Sequence, residues 1–214
     1  MVILSDMDGT LLDTEKVTFR HYTIECRKKG RTIEPSFYLG LLGCNMRKIH
    51  AELEAYFPDL DVDELIQSVH RGMREEFRTK GVPLKRGAME LVRYCRENAI
   101  KFGVATSSSR TRVDELLTWA GLMPYVDGCV CGDEISCGKP NPEIFLKLCA
   151  KLGAKESDCL VLEDAETGME AAHACGMRAI CIPDLKEPRK ECLHGAPSVR
   201  SLEEVLKRIK EGNI

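Results

Sequence analysis

The first apolar run of the chain, Val2-Ile3-Leu4, stops abruptly at Ser5 and two aspartates, Asp6 and Asp8. A short hydrophobic run closed by polar residues and a glycine reads as a buried strand ending in a loop. Ile100, Phe102 and Val104 alternate and lead to Thr106, which predicts a second strand. Gly128–Cys131, Cys159–Leu162 and Ala179–Ile182 give three more. The segments between them carry helical spacing. Ala88, Leu91, Val92 and Cys95 stand at i, i+3, i+4 and i+7 and predict a helix over 87–98. Val113, Leu116, Leu117 and Ala120 predict another, and Ile144, Phe145, Leu148 and Leu152 a third, which starts just after Pro140 and Pro142. A helix over 166–175 and a last one through Leu202, Val205, Leu206 and Ile209 complete the series. Strands alternating with helices imply an α/β fold, a parallel sheet covered by helices on both faces.

Residues 15–82 break this alternation. They show helical faces (Ile49, Leu53, Tyr56, Phe57, then Val62, Leu65, Ile66, Val69, Phe77) and no convincing strand. The expected organisation is a core of 1–14 and 83–214 with a small helical domain, 15–82, inserted after the first strand. Thr14–Lys16 and Gly81–Leu84 are the expected hinges.

Composition narrows the function classes. At 214 residues and 43% hydrophobic content, the chain can bury one good core and a small accessory domain. A net charge of −3 with dispersed basic residues points away from nucleic acid and from a polybasic membrane patch. Arg27-Lys28-Lys29 reads as a solvated helix end. No apolar run approaches the roughly 20 residues that span a bilayer. The N-terminus lacks the charged and long apolar regions of a signal peptide. Eleven cysteines, many in apolar segments, suit thiols kept reduced in a cytoplasm. Cys129, Cys131 and Cys137 could be read as a metal site, but their spacing is not a zinc pattern. No exposed heptad or extra β edge is evident, which reads as a monomer.

Four polar clusters fall at strand ends. Asp6 and Asp8 repel each other and call for a cation or a shared proton. One can serve as nucleophile and the other as general acid and base; the bland alternative is an acidic turn. Thr106-Ser107-Ser108-Ser109 precedes a helix, where hydroxyls and free N–H groups bind phosphate or merely cap the helix. Lys139, in a loop stiffened by Pro140 and Pro142, could neutralise a phosphate and the nucleophile together, or be a surface lysine in a turn. Glu163-Asp164 closes a buried strand. Mg²⁺ is a natural partner for those acids if it also meets Asp6 and Asp8, and a helix N-cap is the alternative.

In this order the four clusters resemble the haloacid dehalogenase-like (HAD) superfamily, over essentially the whole chain. The likeness is greatest to the subgroup with a helical cap between the first and second motifs, which includes β-phosphoglucomutase and many small-metabolite phosphatases. The resemblance implies a Rossmann-like core and makes 15–82 the cap. It implies that Asp6 is the nucleophile and Asp8 the acid/base, and that Thr106, Ser107 and Lys139 bind the phosphoryl group. Mg²⁺ is then held by Asp6, the Asp8 carbonyl, Asp164 and Glu163, with Asp164 the firmer ligand of the last two. The implied substrate is a small phosphorylated metabolite, a sugar phosphate or a nucleotide-like monophosphate.

Substrate choice is expected in the cap, with Glu15, Thr18, Tyr22, Asn45, Arg47, Lys48 and Arg71 as candidates and Arg47 foremost. Histidines 21, 50, 70, 173 and 194 read as structural or surface residues. Two departures stand out. Ser5 occupies a position commonly aromatic in relatives. Thr18 stands where β-phosphoglucomutases tend to have a histidine, and the loop Gly43-Cys44-Asn45-Met46-Arg47 lacks their arginine-serine pattern. Both features of the second departure favour a phosphomonoesterase over a hexose-phosphate mutase. A catalytically silent phosphate-binding module is the remaining alternative, and the intact acid set speaks against it.

Overall fold

A computed structural model of the chain describes residues 1–44 and 46–214. Its sheet contains five parallel strands: β1 (Val2–Ser5), β2 (Lys101–Ala105), β3 (Gly128–Val130), β4 (Cys159–Glu163) and β5 (Arg178–Cys181). Their spatial order is β3-β2-β1-β4-β5. β1 is central, with Ile3 opposite Phe102 on one side and Leu160 on the other. The chain builds outward from β1 to β3, then crosses back to place β4 on the far side of β1. Such a reversal opens a crevice beyond the carboxyl ends of the strands.

The two faces of the sheet follow the two-residue period of its strands. Ile3, Phe102, Val104, Leu160, Leu162 and Ile180 join one apolar cluster. It is covered by α5 (Ala88–Glu97), α6 (Arg110–Trp119) and α9 (Leu202–Glu211). Val2, Leu4, Ala105, Val130 and Val161 turn the other way. They meet Ile144, Phe145 and Leu148 of α7 (Glu143–Lys151) and Ala171 and Ala172 of α8 (Glu166–Ala174). Both faces are buried, so the strands lack polar alternation, as expected of a parallel sheet.

Between β1 and α5 lie α1 (Glu15–Lys28), α2 (Pro35–Leu41), α3 (Met46–Tyr56) and α4 (Val62–Lys80). Among the described residues, 15–82 contains no strand. Leu65, Ile66, Val69, Met73 and Phe77 form the buried stripe of α4, which packs along α1 and against α3. The Asp61 side chain accepts the Glu64 N–H at 2.9 Å and starts α4. The two connections to the core run side by side. Asp13 N–H donates to the Pro83 carbonyl and Lys85 N–H to that of Leu11, each at 2.9 Å. Lys85 then pairs with Asp184 at 2.7 Å, tying this neck to the loop after β5.

Side chains also tie the helical segment to the core. Arg74 of α4 holds the Glu115 carboxylate of α6. The Thr167 hydroxyl donates to the Gly43 carbonyl at 3.3 Å. The cysteines are free thiols and mostly buried, which leaves Cys129 and Cys131 as packing residues and Cys137 at the surface.

Phe145 is fully buried, with the Lys139 ammonium over its ring. Phe145→Ala is expected to lower the unfolding free energy by about 3–5 kcal/mol. A urea titration should show a lower midpoint with little change in slope.

Candidate active site

β1 delivers its acids by geometry. Met7 is completely buried in the core, so Asp6 and Asp8, one residue to either side, turn toward the crevice. The Asp6 N–H donates to the Leu162 carbonyl at 2.9 Å, extending the β1–β4 ladder one residue beyond β1. The chain then reverses, with the Leu11 and Leu12 N–H groups both donating to the Met7 carbonyl. Gly9 makes this reversal at φ +85°, and a Cβ there would lie 2.4 Å from Asp164 Oδ2. Only glycine satisfies both demands, so the first and fourth acidic clusters close on each other across Gly9.

Lys139 is the centre of the site. Its Nζ donates to Asp6 Oδ1 at 2.5 Å, Glu163 Oε1 at 2.6 Å and the Ala105 carbonyl at 3.0 Å. An ammonium has three N–H donors, and all three are used. They reach the ends of β1, β4 and β2. The Lys139 side chain is 6% exposed, Asp6 12% and Glu163 2%. Its Nζ also lies 5.1 Å from the centroid of the Phe145 ring.

Glu163 accepts more than the lysine. Its Oε2 receives the Asp164 and Ala165 N–H groups at 2.9 and 3.0 Å. α8 comes close enough that a Cβ on Gly168 would sit 1.8 Å from Glu163 Oε1. The sequence reading puts Glu163 among metal ligands; the geometry gives its carboxylate to Lys139 and two amides. Asp164 Oδ1 accepts the Thr10 hydroxyl at 2.9 Å.

Asp8 has separate partners. Oδ1 accepts from the Thr14 hydroxyl at 2.7 Å and from Arg112 Nη2 at 3.0 Å. Oδ2 accepts from the Ser108 hydroxyl at 2.9 Å, and Arg112 Nε also reaches Ser108 Oγ at 3.3 Å. Thr106, at the end of β2, is buried, and its Oγ1 accepts the Ser108 N–H at 3.1 Å. That leaves the Thr106 hydroxyl proton able to donate. Ser107 is exposed at the tip of the same turn.

The electrostatics divide the two aspartates. Burial pushes the Asp6 carboxyl up to about 7 despite Lys139, with Glu163 and Asp8 adding to the push. Burial, then Glu163 and Asp6, hold Asp164 well above the carboxylate range. Burial also acts on Asp8, but Arg112, Thr14 and Ser108 outweigh it and hold that carboxyl below its usual value. Lys139 is raised because Asp6 and Glu163 outweigh the cost of burying its charge.

Four carboxylates thus face two cationic side chains, Lys139 and Arg112, and the deficit is of positive charge. Asp6 and Asp164 each spend Oδ1 on a hydrogen bond, which leaves Oδ2 of each for a cation. Among the described residues no three His, Cys, Asp or Glu side chains form a metal cage. Two carboxylates completed by a main-chain carbonyl and waters suit Mg²⁺, which takes oxygen ligands and keeps several waters. The donor set therefore fits that ion.

The residues expected to select substrate are dispersed. Glu15 is half-buried and accepts the Tyr38 hydroxyl at 2.6 Å, close enough to the site to feel Asp8 and Arg112. Thr18 donates to the Thr14 carbonyl, and Tyr22 is buried beside Tyr38. Arg47 and Lys48 are exposed in the first turn of α3, and Arg71 donates to Ser68. Asn45 lies outside the described residues. His70, read from sequence as structural or surface, lies on α4; partial burial and then the Arg112 charge push its imidazole below the usual value, against Asp8. The sequence reading missed Thr10, Thr14, Tyr38, Ser108 as a ligand of Asp8, and Arg112. Ser108 lies in the turn before α6 and Arg112 in its first turn, so no helical periodicity marks the pair.

The model of the family described as haloacid dehalogenase-like hydrolase matches residues 3–182. A phosphorylated carbohydrates phosphatase of Thermotoga maritima is 27% identical over 214 residues, covering 98% of each chain. A validoxylamine A 7'-phosphate phosphatase of Streptomyces hygroscopicus subsp. limoneus is 30% identical over 176 residues, 82% of each. Among solved structures, CbbY from Rhodobacter sphaeroides in complex with phosphate superposes with a TM-score of 0.79 at 25% identity, covering 95% of both chains. With the family model spanning most of its length and the acids of that span gathered at the carboxyl ends of β1 and β4, the chain belongs to the haloacid dehalogenase-like hydrolases.

Proposed function

We propose that the chain is a Mg²⁺-dependent phosphomonoesterase that hydrolyses a small phosphorylated metabolite through an aspartyl-phosphate on Asp6. One observation carries this reading: two carboxylates two residues apart are given opposite environments. Asp6 is held by Lys139 at the closed end of the crevice. Asp8 is held by hydroxyls and Arg112 on its other side. The partners separate the two acids, as a nucleophile and an acid/base must be separated. In the chain alone it is Asp6 that is pushed toward its protonated form and Asp8 toward its anion. A bound cation would favour the Asp6 anion, while an arriving phosphate would favour a proton on Asp8. The phosphatase names of the Thermotoga and Streptomyces relatives support the same class.

In this mechanism an Asp6 oxygen attacks phosphorus while the bond to the leaving oxygen breaks and Asp8 supplies that oxygen with a proton. Water then attacks phosphorus, Asp8 takes its proton, and the bond to Asp6 breaks to release phosphate. The Thr106 hydroxyl, with the Ser107 N–H, would hold the phosphoryl oxygens, and the Lys139 ammonium, its N–H donors already engaged, would attract them by its charge. Asp6, Asp164 and the Asp8 carbonyl would hold Mg²⁺, which when bound offsets the repulsion between phosphate and carboxylates. Glu163 anchors Lys139. The helices of 15–82 act as a cap that excludes water and selects the leaving group, with Glu15, Tyr38 and Arg47 as its candidate contacts. A mutase must return a phosphoryl group to a second hydroxyl. Thr18, bonded to its own helix, offers no acid or base where those relatives tend to have a histidine.

Phosphate release from a panel of sugar phosphates and nucleoside monophosphates should require Mg²⁺ and stop on chelation. Asp6→Asn should abolish it with the fold intact by circular dichroism. Asp8→Asn should slow it by about 10²–10⁴-fold. Full Mg²⁺-dependent activity in Asp6→Asn would refute the assignment.

Glu15 supplies a pH test. Burial pushes its carboxyl from 4.5 up to about 7, against the Tyr38 hydrogen bond, with Asp8 and Asp184 adding and Arg112 opposing. The folded chain then binds this proton more tightly than the unfolded chain, so the contribution to stability falls as pH rises through that window. Glu15→Gln should therefore gain stability relative to the parent between about pH 5 and about pH 8, read from urea midpoints. A constant difference would show that Glu15 ionises normally.

A further inference from the structure

Arg112 is absent from the motifs that mark the crevice, yet it makes the only ion pair described for Asp8 among the described residues. A carboxylate has about four lone-pair positions. On Asp8, Thr14 and Arg112 occupy both positions of Oδ1, and Ser108 occupies one of Oδ2. The remaining position, on Oδ2, is the one from which a proton can pass. Arg112 also reaches the hydroxyl of Ser108, so one guanidinium touches Asp8 directly and again through Ser108. Such a fork fixes the plane of the carboxylate, which a single donor would leave free to rotate.

The surroundings make Arg112 a fixed element. It lies in the first turn of α6, one turn before Glu115, which Arg74 of α4 grips through Nε and Nη2. Its side chain is 29% exposed, so its approach to Asp8 is shielded but not sealed.

We infer that Arg112 is a positioning residue for the phosphatase reaction, orienting Asp8 so that Oδ2 faces the leaving oxygen. The inference rests on the proposed role of Asp8 as acid/base. Arg112 touches neither phosphorus nor nucleophile in this scheme; it acts through Asp8. Its loss should therefore matter in proportion to how much the leaving group needs a proton. An alkoxide needs one. A p-nitrophenolate leaves without it.

The test compares the best-turned-over alkyl ester from a panel of hexose and pentose phosphates with p-nitrophenyl phosphate. Arg112→Met should lower kcat/KM for the alkyl ester by about 10- to 100-fold, and for the aryl ester by less than about threefold. Arg112→Lys should keep the alkyl rate within about fivefold of the parent. Added guanidinium ion should restore part of the rate to Arg112→Ala. Asp8→Asn, run in parallel, should show the same alkyl–aryl split. If Asp8→Asn splits the two esters but Arg112→Met slows both equally, raises KM alone or changes neither, the positioning role is overturned and the acid/base reading stands. If Asp8→Asn gives no split, the acid/base reading fails and the inference fails with it.

Discussion

A buried ammonium holds this crevice together. Lys139 spends its three N–H donors on Asp6, Glu163 and the Ala105 carbonyl, and so joins the ends of β1, β4 and β2. Removing a lysine charge from water costs several kcal/mol unless strong partners replace the solvent. Two carboxylates and a carbonyl at 2.5–3.0 Å do so here. The sheet must bring those strand ends within reach of one nitrogen, which the central place of β1 between β2 and β4 allows. Gly168 permits Glu163 to lie tight against α8, and Gly9 permits Asp164 to close on the β1 turn. The local conformations follow from that convergence.

The second constraint is that Asp6 and Asp8 must differ although they are two residues apart. Strand geometry turns them to the same crevice, and their neighbours separate them. Asp6 is buried among carboxylates and one lysine, so its anion calls for a bound cation to offset them. Asp8 looks toward hydroxyls, Arg112 and the helices of 15–82, where a leaving group would lie. In the proposed mechanism this gives each acid its task without any change in the fold.

Much of this was legible in the sequence because it depends on short-range pattern. The apolar runs ending at Asp6, Thr106 and Glu163 marked the strand ends, and the stripe through Leu65, Val69 and Phe77 marked α4. Boundaries shifted slightly, with α5 running from Ala88 to Glu97 inside the expected 87–98. Side-chain partnership was harder to read. Glu163 resembles a metal ligand until its proximity to Lys139 and two amides is known, and that proximity is set by residues far apart in sequence. Arg112 looks like an ordinary charged residue in a first helical turn; only the fold, which brings that turn to the residues after β1, sets it against Asp8. The cap contacts were least legible, because surface residues on helices such as Arg47 and Arg71 carry no periodic signal that separates function from solvation.

The most direct test of the central claim is to find where the phosphoryl group goes. The enzyme is mixed with Mg²⁺ and a turned-over sugar phosphate labelled in its phosphate, quenched in acid within a turnover, digested and mapped by mass spectrometry. The account predicts label on the peptide that carries Asp6, absent in Asp6→Asn. Label on another residue, or continued turnover with no labelled peptide at any quench time, would contradict it.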